Sequence, residues 1–282
     1  MDGGTSRLHG EPREWSRMLR DPLLPGVEAL QAHFLRYQYT RHWHEAVCVA
    51  LVGRGAAAFD CAGRPYLAPA GSVFVIPAYE IHTGEPAASA GLDYRVLYVS
   101  SERAADLLED VRAELAVRAS TDVVHRRTAA AEPLAWFHRA MAGNALVLER
   151  ELALLAGLVA VASEFGGVQR REPAAPEHRA VRRAREYLHA HPTNPITLRD
   201  LANVTGLSMY RLARTFRAQV GMPPHAYQVQ LRVLQAKRLL SAGHSIGVTA
   251  AACGFYDQAH LTHQFKRHTG VTPGAFVRGV VR

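Results

Sequence analysis

The last hundred residues carry one short pattern twice, and a repeat of this kind leaves little freedom in how they fold. The first copy runs Thr197-Leu-Arg-Asp-Leu-Ala-Asn-Val-Thr-Gly206-Leu-Ser208 and continues to Val220. The second runs from Ser245 to Cys253, then Gly254-Phe-Tyr-Asp257, and continues to Thr269. Each reads as a short helix, a glycine turn and a second helix whose free N–H groups are capped by a polar side chain, Ser208 in one copy and Asp257 in the other. Both are helix-turn-helix candidates.

Apolar spacing orients these helices. Leu212, Phe216 and Val220 recur at i, i+4 and i+8, so they face a core and turn Tyr210, Arg211, Ala213, Arg214 and Arg217 outward. In the second copy Leu261 and Phe265 are core positions, leaving Gln258, Ala259, His260, Thr262, His263 and Lys266 on the other faces. Residues 178–191 form a preceding helix ended by His191-Pro192. Pro223-Pro224 opens a long connecting helix to about Ser241, with Arg232, Lys237 and Arg238 expected to be exposed and Gly243 as its stop. Thr272-Pro273-Gly274 begins a last short helix.

Charge follows the same division. Residues 178–282 hold 15 Lys and Arg against 3 Asp and Glu, while residues 1–177 hold 18 against 22. A basic excess confined to one segment is the footprint of a phosphate-binding surface, because each neutralised phosphate releases counterions. If the two units enter successive major grooves on one face of a duplex, their second helices stand roughly 34 Å apart. In that setting Arg214 suits a bidentate guanine contact and Gln258 an adenine contact, whereas Arg211, Arg217 and Lys266 suit phosphates.

A chain of 282 residues exceeds one ordinary core, and 48% hydrophobic composition can fill two. Residues 166–176 mix Gly, Pro and charge without apolar periodicity, so the expected division is 1–165, a linker at 166–176, and 177–282. No stretch has 18 consecutive apolar residues, and Asp2, Glu11 and Glu14 are unlike a signal peptide, so a cytoplasmic protein without a membrane partner is expected. Cys48, Cys61 and Cys253 are an odd number at wide spacings and suit neither a disulfide framework nor a zinc finger.

The amino-terminal part reads as strands at residues 33–39, 46–52, 55–59, 73–76 and 94–99, separated by Gly53-Arg-Gly55, Cys61-Ala-Gly63-Arg and Pro69-Ala-Gly71. This is the punctuation of a small antiparallel barrel or jelly roll, whose interior is a natural place for a small molecule. Helices follow at residues 102–117, 132–142 and 147–165. In the last, Leu148, Leu152, Leu155 and Val159 form a heptad-like seam suited either to a subunit interface or to packing on the barrel.

Residues 178–278 resemble the DNA-binding domain of the AraC/XylS family of bacterial transcription regulators. The likeness rests on Leu-Ala…Gly206-Leu-Ser208…Leu212…Phe216, on Gly221-Met-Pro-Pro-His-Ala-Tyr227, and on Ala-Ala-Cys-Gly254-Phe255…Leu-Thr-His-Gln-Phe265-Lys266…Gly270-Val-Thr-Pro273. It implies an all-α domain of seven helices with base contacts from Tyr210, Ala213 and Arg214 in the first unit and Gln258, Ala259, His260 and His263 in the second. His42-Trp43-His44-Glu45 and Gly71-x5-Pro77-Ala-Tyr79-Glu-Ile-His82 resemble the two cupin motifs of the family's ligand-binding domain. That likeness places His44, His82, Tyr39, Trp43 and Tyr94 as candidates for lining an effector cavity, and His42, His44 and His82 as candidate metal ligands.

No resident cofactor is expected, although three imidazoles with the Cys48 thiolate have the donor types for a divalent metal such as zinc. Glu45, adjacent to His44 on an extended segment, is expected to face away from it. The expected architecture is α+β: a cupin-like barrel with accessory helices and an all-α domain. The expected function is a transcription regulator, not an enzyme, with promoter DNA, a small-molecule effector, RNA polymerase and a second copy of the chain as partners. Two alternatives stay open: a metal-dependent cupin enzyme tethered to DNA, and a constitutive regulator whose barrel serves only oligomerisation.

Overall fold

Strand alternation builds the amino-terminal part. In the computed structural model, which describes residues 13–87, 89–109, 123–126, 128–143, 145–165 and 179–281, the strands are β1 (Trp15–Arg20), β2 (Val27–Phe34), β3 (Tyr39–His42), β4 (Ala46–Cys61), β5 (Arg64–Pro69), β6 (Ser72–Ile76), β7 (His82–Pro86), β8 (Leu92–Ser100) and β9 (Val124–Arg126). One sheet runs β1-β2-β8-β4-β6-β9, and β3, β7 and β5 complete a second around the distal half of β4, with all pairs antiparallel. Along β4, Cys48, Ala50 and Val52 face the barrel interior while Val47, Val49 and Leu51 face outward, the two-residue period of a pleated strand. The outward set is covered by α1 (Ser101–Glu109), α2 (Ala131–Ala142) and α3 (Val147–Phe165).

The Gly53-Arg-Gly55 punctuation is not a turn. β4 runs straight through it as a bulge, where pairing with β8 slips between Val52 and Arg54 and Gly55 takes φ +77°. A Cβ at Gly55 would run into the Gly91 carbonyl, so the glycine serves a close approach of backbones. Most of the strand expected at 33–39 is instead the β2–β3 loop, with only residues 33–34 in β2, which begins at Val27, and residue 39 in β3. Strands β1, β5, β7 and β9 add to the expected set; their runs are too short and polar to stand out in the sequence. The helix expected at 102–117 is seen as α1 to Glu109; its remainder and the proposed linker at 166–176 lie outside the described residues.

The carboxy-terminal helices are α4 (Arg179–Ala190), α5 (Leu198–Thr205), α6 (Met209–Val220), α7 (Pro224–Ser241), α8 (Ile246–Ala252), α9 (Gln258–Thr269) and α10 (Pro273–Arg278). Local chemistry sets their ends. Thr197 and Asp200 form a reciprocal capping box on α5, Ser208 accepts from the Arg211 N–H at 3.3 Å, and Asp257 accepts from the His260 N–H at 2.6 Å. Gly206, Gly221 and Gly270 close α5, α6 and α9 in the left-handed conformation. Arg232 of α7, expected at the surface, instead donates to the carbonyls of Pro192, Asn194 and Gly254 at 3.0, 2.9 and 2.7 Å, tying the loop before α5 to the second turn. Carbonyls left unpaired at loop ends attract a long cation that sequence spacing alone puts in solvent.

Barrel and helices share a core. The cluster that fills the barrel continues into Val233, Ala236, Leu240, Phe265 and Phe276. Trp43 is only 5% exposed, and it joins Leu212, Phe216, Tyr227 and Leu231 of the helical part. Polar contacts frame this junction: Lys237 meets Glu28 at 2.7 Å, Arg238 meets Glu45 at 2.8 Å, and the Arg20 side chain reaches Ser241 and the Phe276 carbonyl at 2.9 and 2.7 Å. Lys237 is thus half-buried against Glu28, whereas Arg238 stays exposed, as expected, and reaches Glu45 from the surface. A buried Arg150–Asp21 pair at 2.6 Å fixes α3 to the β1–β2 turn beside Arg20.

Candidate functional site

Two surfaces carry chemistry: the recognition faces of α6 and α9, and the barrel interior that backs onto α9. On α6 the structure leaves Tyr210, Arg211, Arg214 and Arg217 exposed and Ala213 half-buried, above the buried Leu212 and Phe216. On α9 Gln258, Ala259, His263 and Lys266 are exposed above Leu261 and Phe265. His260 sits lower, half-buried, its ring edge-on to Phe255 at 5.4 Å and its Nδ1 accepting from the Tyr256 N–H at 3.3 Å. Gln258, Ala259, Thr262, His263, Lys266 and Arg267 line a shallow groove with one residue from the barrel, Tyr37. Tyr37 donates its hydroxyl to the Lys266 carbonyl, and the Lys266 ammonium stands 5.7 Å from its ring centre. No motif marked Tyr37, which takes its place through the β2–β3 loop, where Glu14 accepts the N–H groups of residues 35, 36 and 37 at 2.6–2.8 Å.

Inside the barrel, Tyr39, His42, His44, His82 and Tyr94 line a cavity with Phe34, Phe59, Phe74 and Tyr98. The aromatic filling leaves about 40 Å³, room for a few waters or an ion but not for an organic effector. Trp43 does not belong to this wall. His42 and His44 point inward, and the intervening residue of an extended segment points the other way, so Trp43 enters the helical part, 5.9 Å from Tyr227. Its carbonyl accepts from buried Gln230 of α7 at 2.9 Å. Tyr94 donates to the Tyr39 hydroxyl at 2.8 Å, and a Cβ on Gly270 would collide with that same hydroxyl.

The three histidines come together from β3, from the segment after it and from the start of β7. Their ring nitrogens lie within 4.8 Å of one another. Ring centres are 4.2 Å apart for His42 and His82, 4.5 Å for His44 and His82, and 5.3 Å for His42 and His44. Burial pushes His42 and His44 well below the usual imidazole range and His82 down to about 4, so all three are neutral near pH 7, the form a metal ion requires. Cys48 is not in the cluster: burial, and the nearby Cys61, raise its thiol pKa and keep it a protonated core residue. Glu45 turns away to Arg238. The donor set that remains is all imidazole, which fits a borderline divalent ion.

Outside the barrel, a cleft of about 520 Å³ separates its mouth from α7. It is walled by Glu28, Trp43, His44, Lys237, Arg238 and His268 among others. His44 and Tyr98 line both the cleft and the barrel cavity.

The profile of the AraC-like ligand binding domain matches residues 24–158, and that of a helix-turn-helix domain matches residues 201–279. The chain belongs to the AraC family of transcription regulators. Among relatives of this AraC-family chain, the HTH-type transcriptional regulator YbfI of Bacillus subtilis is 26% identical over 242 residues, covering 83% of this chain and 86% of YbfI. The HTH-type transcriptional activator RhaS of Pectobacterium atrosepticum is 26% identical over 253 residues with the same coverage. Among solved structures, ToxT of Vibrio cholerae superposes with a TM-score of 0.51 at 10% identity over 95% of this chain and 97% of ToxT, a likeness of fold. The AraC-family protein thus pairs a ligand-binding barrel with a DNA-binding helical domain, and its described helices include none long and apolar enough to cross a membrane.

Proposed function

We propose that this regulator reads promoter DNA through α6 and α9 and that a small-molecule effector, bound where barrel and helices meet, sets how the two parts are held. One observation carries the reading: the side chains that wall the barrel cavity also touch the second helix-turn-helix unit. Tyr39 packs on Gly270, Tyr37 holds the Lys266 carbonyl, and the His42 ring lies 6.5 Å from that of His268. An effector acts only through different affinities for two arrangements, and here a change in the cavity wall reaches the recognition helix directly.

The interdomain cleft, at about 520 Å³, has the volume of an organic ligand site, whereas the barrel interior does not. Residues 1–165 supply sensing and residues 177–282 supply DNA binding. Arg214, Gln258 and Ala259 read bases with Tyr210, Ala213, His260 and His263, while Arg211, Arg217 and Lys266 hold phosphates. Leu148 and Leu152, 64% and 50% exposed on α3, face away from the barrel with the half-buried Leu155 and form the interface of a homodimer. The protein acts in the cytoplasm, and its output is activation through contact with RNA polymerase.

Selection of full-length protein on random duplex DNA, followed by salt titration of the recovered site, tests the DNA reading. Two enriched patches one helical turn apart support bipartite recognition. Binding that tracks salt alone and enriches no sequence rejects it. A metabolite set screened by thermal stabilisation tests the effector, since a ligand of the folded state raises its melting temperature by mass action.

A further inference from the structure

The histidine cluster is the part of the cavity wall that the effector reading leaves unexplained. His42 and His82 each place Nδ1 2.8 Å from a backbone carbonyl two residues back, Thr40 and Glu80. A carbonyl only accepts, so each Nδ1 carries the proton and each Nε2 is left with a lone pair. A carbonyl holding the far nitrogen of a histidine is also how metal-ligating imidazoles are commonly oriented.

A fourth imidazole, outside both cupin motifs, faces His42 from across the domain boundary. His268, on the last turn of α9, is buried, and its Nδ1 stands 2.7 Å from the Gln264 carbonyl, which again leaves Nε2 unprotonated. Its ring stands perpendicular to that of His42 with centres 6.5 Å apart, and it shares the cleft wall with His44. Imidazoles bound to one tetrahedral zinc at about 2.0–2.1 Å have ring centres about 5 Å apart. The three barrel rings, at 4.2–5.3 Å, lie near that spacing, and His268, just outside the group of three, stands 6.5 Å from His42.

We propose that His42, His44 and His82 hold a divalent first-row transition ion of the zinc class and that His268 closes its fourth position, so that the ion clamps the second recognition helix to the barrel. An all-imidazole set selects such ions over magnesium and calcium, which take oxygen ligands. The clamp deepens the proposed function by naming a divalent cation as a regulatory ligand, and it rests on the same contact between barrel and α9.

The test uses full-length protein without a histidine tag, stripped with chelator and titrated with cobalt(II) and zinc. The expected result is one ion per chain with the strong visible absorption of tetrahedral cobalt. His82→Ala abolishes binding; should that chain not fold, His44→Gln serves instead. His268→Ala and His268→Gln weaken binding at least tenfold and shift the visible bands of the bound cobalt as water replaces the fourth imidazole. Absence of stoichiometric binding overturns the metal site, and an unchanged affinity and spectrum in both His268 variants overturns the clamp. DNA selection on the chelated protein is read separately, so failure of the metal site is not confused with failure of the regulator reading.

Discussion

Replacing Trp43 by alanine should uncouple the two halves of this protein. The indole is 5% exposed and lies in one apolar cluster with Leu212, Phe216, Tyr227 and Leu231 of α6 and α7, its ring 5.9 Å from Tyr227 and 5.6 Å from Tyr79 on its own side, so much of what it buries lies across the boundary. A tryptophan buries roughly 150–250 Å². At about 25 cal/mol per Å² this gives about 4–6 kcal/mol as an upper estimate. Truncations of buried aromatics cost about 3–5 kcal/mol, so about 4 kcal/mol is expected, a large share of the ~5–15 kcal/mol that holds a domain folded. The assay is urea unfolding followed by two probes. Far-UV dichroism reports the helices, while the fluorescence of the variant comes from Trp15 on β1 and Trp136 on α2, both in the amino-terminal part. In the wild type the two curves should coincide; in Trp43→Ala they should separate into two transitions. Coincident curves with a loss under about 1 kcal/mol would refute Trp43 as the anchor of the junction.

Three further outcomes follow from named residues. Arg214→Ala should relax specificity at one base position and cost ~1–3 kcal/mol there, whereas Arg217→Ala should weaken all sequences alike; identical selection profiles for the two variants would contradict the assigned reading face. Leu148→Arg with Leu152→Arg should convert a dimer to a folded monomer in sedimentation, at little cost to thermal stability, because both side chains are exposed. His138, fully buried on α2, has its pKa held down to about 3 by burial and by Arg95, so the unfolded chain binds the proton more tightly than the folded one. Its share of stability is complete above an unfolded pKa near 6.5 and falls by about 1.4 kcal/mol per pH unit below it. Denaturant midpoints for His138→Phe should therefore depend less on pH than those of the wild type between pH 6.5 and 4, and parallel profiles would sink that account.

Local signals made the carboxy-terminal half legible. The caps at Ser208 and Asp257 and the turn glycine at 206 act within a few residues of chain, so each helix is specified by its own neighbourhood and the apolar spacing names its buried face. The barrel was legible as a set of strands but not in its joints. Gly53-Arg-Gly55 can serve a turn or a bulge equally well, and only the slip in register between β4 and β8 decides which. His42, His44 and His82 stood out by type and motif, yet their approach to within 4.8 Å is a product of three segments meeting.

What the sequence determined by itself was the kind of protein: two helix-turn-helix units on a basic segment after a strand-rich barrel, because those features are written in spacing, capping and charge. The tertiary structure decided what the two parts do to each other. It turned Trp43 out of the cavity and into the helical domain, paired Lys237 with Glu28 and Arg238 with Glu45, and brought Tyr37 and His268 beside groups more than 180 residues away in the chain. Such contacts leave no local trace. They depend on which faces two separately patterned units bury against each other, and that choice is made by shape and charge over a whole surface rather than by any short run of residues.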